Sequence, residues 1–214
     1  MSTFISSFIP DHFIIGLDRA LRTVSGQAQA GRANPAIDIE EASLSAEEQA
    51  RSAGLMRVNH VGEICAQALY DAQAAFSTQP GISKQLHEAG KEEEDHLAWT
   101  ASRLKELNSH ASLLNPLWYM GAYACGVVAA KCGDAVSLGF VVETERQVEA
   151  HLASHLNKLP QQDHKSRAIV EQMRVDEIAH GAAAQSLGAS NLPLPVQHGM
   201  KLMAKVMTGT AYYI

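Results

Sequence analysis

A chain of 214 residues suits one domain with a single substantial core. Its net charge of −6, its 19% charged residues and the lack of any Lys/Arg stripe argue against a nucleic-acid surface. Cys65, Cys125 and Cys132 have no paired ligand spacing and fit reduced thiols, so cysteine chemistry is not the lead.

The amino terminus, MSTFISSFIPDHFIIGLDRALRTVSG, has no basic region before its apolar residues and carries Pro10 and Asp11 among them. That pattern is not a secretion signal, and the protein is expected to stay in the cytoplasmic compartment. Residues 4–24 read as a short amphipathic helix with Phe13, Leu17 and Leu21 at four-residue spacing. A linker rich in Gly, Ala and polar residues follows, and Asn34-Pro35 disfavours helix within it. Ser45 and Glu48 then have capping-box spacing. Residues 1–45 are therefore expected to be a helix and linker ahead of a main domain over 46–214.

From residue 46 the pattern is helical, with no period-2 strand of convincing length. Helices are expected over 46–77, 82–108, 135–158 and 162–187, separated by STQPG, LNP, KCGD and LPQQD, with a shorter one over about 195–208. Four long helices with these connections make an antiparallel bundle whose long crossover joins the second to the third. That crossover, ASLLNPLWYMGAYACGVVAA over 111–130, contains no charged side chain. Pro116 breaks it early and leaves about fourteen apolar residues, a length more typical of a buried or interfacial helix than of a span. The tail, VQHGMKLMAKVMTGTAYYI, combines Met200, Met203 and Met207 with two lysines and paired tyrosines. Segments 111–130 and 195–214 are expected to lie on a membrane surface, with core packing or an oligomer contact as the alternative.

The second helix holds KEEEDHLAW, four consecutive acids before a histidine. Steps of three and four place Glu93 and His96 on the apolar stripe of Leu86, Ala89, Thr100, Leu104 and Leu107, and leave Glu92, Glu94 and Asp95 off it. The fourth long helix repeats the device, with Glu177 and His180 among Val170, Met173, Ala184 and Leu187. These are the only two ExxH pairs in the chain. The first helix offers Glu63 on the stripe Met56, Asn59, Ala66 and Tyr70. The third offers Glu143, Glu145 and Glu149, and periodicity selects Glu145, in line with Leu138, Val141, Val148 and Leu152.

Two hairpins thus each supply a Glu and an ExxH, the arrangement of di-iron and di-manganese carboxylate bundles. Any one of these residues alone would be an ordinary helix acid or a satisfied core histidine. Ionised carboxylates in a bundle core cost several kcal/mol each unless compensated, and two divalent cations would cancel four of them. Mixed oxygen and nitrogen ligation favours iron over thiolate-loving zinc. His151 lies off the Glu145 stripe and is expected to support the site or sit at the surface; Asn59 and Tyr70 could hydrogen-bond to the site or merely pack. Arg57 and His60 are expected to face solvent.

In LMRVNHVGEICAQALY, EEEDHLAW, NPLWYMGAYACG, VVETERQVEAHL and DEIAHG, the sequence resembles the demethoxyubiquinone hydroxylases of ubiquinone biosynthesis, over most of residues 50–214. The resemblance implies an all-α, ferritin-like four-helix bundle with an extra hydrophobic crossover helix and a C-terminal amphipathic helix. It implies two iron ions bound by Glu63, Glu93, His96, Glu145, Glu177 and His180, with Glu93 and Glu177 bridging. The family's histidine six residues after the third-helix glutamate is matched by His151.

The implied reaction is O2-dependent hydroxylation of a polyprenylated methoxy-methyl-benzoquinol at its unsubstituted ring carbon, one oxygen atom entering the ring and the other leaving as water. No nucleotide fingerprint is present, so electrons are expected from a separate reductase or from reduced nicotinamide. The implied location is peripheral, on the cytoplasmic face of the inner (cell) membrane, with a homo-oligomer or a ubiquinone-biosynthesis complex both compatible. Other readings are another ferritin-like di-iron oxidase or peroxidase, a non-enzymatic iron-binding bundle, and a metal-free membrane adaptor. The missing cysteine pairs argue against a rubrerythrin-like peroxidase, and the uncharged crossover against a soluble storage cage.

Overall fold

A computed structural model of the chain describes residues 11–214, with side chains from residue 16 onward. Among these residues there are seven helices and no strand: α1 (Asp11–Ser25), α2 (Ala46–Phe76), α3 (Pro80–Glu106), α4 (Asn115–Lys131), α5 (Asp134–Lys158), α6 (His164–Ser186) and α7 (Leu194–Ala211). The expected helix over 4–24 falls partly outside this range, as does the side chain of Phe13.

The ends follow local chemistry. Ser45 Oγ accepts from the Glu48 amide at 3.3 Å while the Glu48 carboxylate accepts from the Ser45 amide at 2.9 Å, completing the capping box. Helix α3 begins at Pro80, earlier than the expected residue 82, because a proline in the first turn forfeits no intrahelical bond. Asp163 caps α6 by accepting from the Ser166 amide at 3.0 Å, which fixes the start at His164. Gly133, with φ of 102°, supplies the left-handed turn between α4 and α5.

Helices α2 and α3 form one hairpin and α5 and α6 the other, and the two meet to make the all-α, ferritin-like bundle. Two apolar clusters span all four bundle helices. Met56, Leu104, Leu152, Val170 and Met173 form one cluster, while Tyr70, Leu86, Leu138, Val141 and Ala184 form another. Along every bundle helix the inward Glu and His positions fall between these clusters, so a polar layer is sealed by an apolar plug on each side.

The crossover helix α4 lies along α2, close enough that a Cβ on Gly126 would come within 2.8 Å of Ala72 Cβ and 3.0 Å of the Leu69 carbonyl oxygen. The expectation that Arg57 and His60 face solvent is overturned. Both are buried, His60 against α3 and Arg57 beneath the α3–α4 connection and the carboxy terminus. Arg57 donates to the carbonyls of His110 and Tyr212 at 2.9 and 2.8 Å and to Ser109 Oγ at 2.7 Å, tying α2 to the α3–α4 connection and the carboxy terminus. His60 Nδ1 lies 3.0 Å from Thr100 Oγ1.

Helix α1 docks through Arg19, 2.8 Å from Asp71, with Ala20 and Val24 packed inward. Leu17 and Leu21 instead point outward, so the expected stripe is not the face that meets the bundle. On α4 the exposed apolar residues are Leu117, Met120 and Val128, whereas Tyr119 is buried and donates to Asp71 at 3.1 Å. On α7, Leu194, Leu202, Met203 and Val206 are exposed. No helix of the described residues is long and apolar enough to cross a membrane.

Candidate metal centre

Each bundle helix delivers its inward groups to the same layer: Glu63 from α2, Glu93 and His96 from α3, Glu145 from α5, and Glu177 and His180 from α6, all buried. They form two sets that could each hold a metal ion. Glu63, Glu93, His96 and Glu177 have ligand atoms within 4.8 Å of one another, and so do Glu93, Glu145, Glu177 and His180. Glu93 and Glu177 belong to both sets. The ExxH spacing explains this, because it lets one helix present a shared acid and a terminal imidazole one turn apart.

The histidines are aimed. His96 turns Nδ1 into the cluster, 3.2 Å from Glu63, 3.4 Å from Glu93 and 3.5 Å from Glu177. Its Nε2 points out to Asp176 at 2.9 Å. His180 mirrors it, with Nδ1 3.2 Å from Glu93 and 3.3 Å from Glu177 and Nε2 3.3 Å from Glu92. Thus the acid immediately before each ExxH crosses to the histidine of the other pair. A carboxylate that accepts from Nε2–H keeps the proton on that nitrogen and leaves the Nδ1 lone pair for a cation.

The electrostatics fit cations. Burial pushes the carboxyls of Glu63 and Glu145 well above the usual range, and like charges in the layer push in the same direction. Burial opposes charge on His180, but Glu177 and Glu93 raise it to about 12, and Asp176 with the layer's glutamates raises His96 well above its ordinary value. Glu93, despite complete burial, is held low by His180 and His96. The upward shifts all oppose uncompensated negative charge in the layer, which is the charge that bound cations would balance. Both oxygens of Glu93 and Oε2 of Glu145 are buried with no hydrogen-bond partner, a costly arrangement that a bound cation would relieve.

Around the layer, Tyr70 donates to Glu145 Oε1 at 2.5 Å and sets its ring edge-on to His180, 5.9 Å between centroids. Asn59 is buried beside Met56 with its Oδ1 unpartnered. His151 makes no hydrogen bond or ion pair to the six among the described residues. It packs on His155, with ring centroids 4.0 Å apart, and lines a cleft of about 670 Å³ with Leu55, Val58, Tyr212 and Tyr213. Asp176 and Glu92 were not legible as part of the site from apolar periodicity; the signal for them is an acid directly preceding each ExxH.

Fold and layer together define a helical bundle with two buried carboxylate–histidine groups, each of which could hold a metal ion. Comparison with known proteins narrows this. The family described as ubiquinone biosynthesis protein COQ7 matches residues 50–211, and the chain belongs to that family. It is 62% identical over 211 residues to a 3-demethoxyubiquinol 3-hydroxylase of Herminiimonas arsenicoxydans, covering 99% of each chain. It is also 63% identical over 205 residues to one of Janthinobacterium sp. (strain Marseille), covering 96% of this chain and 99% of the other.

Proposed function

We propose that this chain is a di-iron monooxygenase that hydroxylates the ring of a demethoxyubiquinol, using O2 and two external electrons. The observation that carries the reading is the pair of four-residue groups sharing Glu93 and Glu177, in a chain so close to relatives named for that reaction. Glu63 and His96 would hold one iron, Glu145 and His180 the other, and Glu93 and Glu177 both. Bound iron would supply the redox chemistry with oxygen.

The rest is the work of this chain's side chains. Asp176 and Glu92 keep a proton on Nε2 of His96 and His180, so Nδ1 remains a lone-pair donor. Tyr70 occupies Oε1 of Glu145 and leaves Oε2 free to face the layer. The apolar clusters on either side exclude bulk water, which strengthens every electrostatic contact between them.

A substrate with a long prenyl tail resides in the bilayer, and α4 and α7 carry the exposed apolar side chains that would dock there. The cleft lined by Tyr212 and Tyr213 opens beside α7, offering a head group a route from the membrane surface toward the bundle. Electrons would come from a separate reductase or from reduced nicotinamide.

The test is iron content of the anaerobically reconstituted full chain, followed by oxygen uptake with and without a demethoxyquinol analogue. Two irons per chain and quinol-dependent uptake are expected. Stoichiometric iron with uptake indifferent to the quinol would keep the metal centre and discard the substrate.

A further inference from the structure

The linker over residues 26–45 crosses the bundle surface, and one of its side chains reaches the carboxylates behind both histidines of the layer. Arg32 sets Nη2 2.9 Å from Oδ2 of Asp176 and Nη1 3.7 Å from Oε2 of Glu92. Those same two oxygens lie 2.9 Å from Nε2 of His96 and 3.3 Å from Nε2 of His180. The arginine is itself fixed. Its Nε lies 2.5 Å from Oδ2 of Asp95, the amides of Gly31 and Arg32 donate to Oδ1 of Asp95 at 2.6 and 3.2 Å, and its Cζ sits 5.0 Å over the Trp99 ring.

We propose that Arg32 is a positioning residue for the metal centre, fixing through Asp176 and Glu92 the orientation and tautomer of His96 and His180. The inference rests on the reading that the six side chains of the layer bind metal. A guanidinium is planar and presents several N–H groups in a rigid fork, so it can hold two carboxylates in a set relation that a lysine, a flexible point charge, cannot. Asp176 Oδ2 is shared between Arg32 and His96, and Oδ1 is taken by Gln172 at 2.9 Å, so the carboxylate has no freedom to rotate while the arginine stays. Without Arg32, Asp176 would lose the donor opposite the imidazole, and Glu92, half-exposed, would lose the cation that keeps it over His180. Carboxylates bonded directly to a ligating histidine typically change metal affinity by about tenfold to a hundredfold, and Arg32 acts on two of them at once.

The experiment titrates Co2+ alone into the metal-free full chain, reading the isotherm and the visible absorption of the bound ion, for wild type, Arg32→Ala, Arg32→Lys and Arg19→Ala. Arg19→Ala removes the contact that pins α1 to Asp71 and so controls for general loosening of the amino-terminal region. Thermal midpoints of the metal-free proteins are recorded alongside. Arg32→Ala should bind at least about tenfold more weakly with an altered absorption band, and Arg32→Lys should recover only part of the loss. Arg19→Ala should leave both isotherm and band as in wild type. Unchanged binding and spectrum in Arg32→Ala, or the same loss in Arg19→Ala, would overturn the proposal while leaving the metal centre standing. Wild type that takes up fewer than two ions would sink the underlying reading as well. Should Arg32→Ala fail to fold, Arg32→Gln carries the same comparison and the same outcomes.

Discussion

Tyr70 on α2 donates a 2.5 Å hydrogen bond to Oε1 of Glu145 on α5, while Oε2 of that carboxylate is buried without a partner. The phenol thereby divides the two oxygens, one tied to the protein and one facing the layer. Only the group of Glu93, Glu145, Glu177 and His180 contains the carboxylate that Tyr70 holds. Tyr70→Phe is therefore expected to weaken one of two metal-binding steps, about tenfold, and leave the other near its wild-type value. Removing a donor from a buried carboxyl should also destabilise the metal-free fold by about 1–3 kcal/mol. Calorimetric titration with Fe2+ under nitrogen checks the first, urea unfolding the second; equal weakening of both steps would contradict the division.

Sharing makes the ligands unequal. Glu93 and Glu177 lie in both groups, whereas Glu63 and Glu145 each lie in one. Glu93→Ala or Glu177→Ala should abolish retention of both ions, while Glu63→Ala or Glu145→Ala should leave about one per chain. Metal analysis after desalting distinguishes these outcomes, and retention of one ion by Glu93→Ala would show that it does not bridge.

The layer was legible because helical periodicity is strict where a helix faces a core. Glu93, His96, Glu177 and His180 fall in line with leucines and valines, and Glu145 could be separated from Glu143 by the same count. Periodicity reports one stripe per helix, however, and α2 is covered on further sides. Arg57 and His60 are buried on those further sides: His60 meets Thr100 on α3, and Arg57 is covered by the α3–α4 connection and the carboxy terminus, contacts that no local pattern on α2 announces. The acidic run resolves in the same way. Glu93 enters the layer, Glu92 meets His180, Asp95 anchors the linker through Arg32, and Glu94 lies 3.7 Å from Arg19. Three of these four roles depend on partners distant in sequence, so spacing alone could assign only Glu93.

His155 offers a pH test away from the layer. Burial, helped by the charges of His151 and Lys158, lowers its pKa to about 3, against about 6.5 in an unfolded chain. Above pH 7 neither state protonates the ring and it contributes nothing. As pH falls below about 6.5 the unfolded chain gains a proton that the folded ring refuses, so this histidine removes about 1.4 kcal/mol of stability per pH unit until its folded value is reached. His155→Gln should shift stability by a constant at neutral pH and reduce the acid slope by that amount. Urea unfolding of metal-free wild type and variant at pH 7, 6 and 5 measures the difference, and parallel curves would mean that the ring is charged in the fold.

Membrane docking, finally, should be separable from folding. Leu202, Met203 and Val206 on α7 are each more than half exposed (65%, 58% and 58%), so charging them removes little internal packing. Surface changes of this kind usually stay within about 0.5 kcal/mol. In a bilayer the same side chains would each contribute about 1.5–3 kcal/mol, and three carboxylates there would be unfavourable. The variant Leu202→Glu, Met203→Glu, Val206→Glu is expected to lose flotation with phosphatidylcholine–phosphatidylglycerol vesicles while keeping the wild-type urea midpoint. Tyr119→Ser should behave in the opposite way, because Tyr119 is buried against α2 and bonded to Asp71: a lower midpoint, with vesicle binding retained by whatever remains folded. A triple variant that floats like wild type would mean that α7 faces something other than lipid.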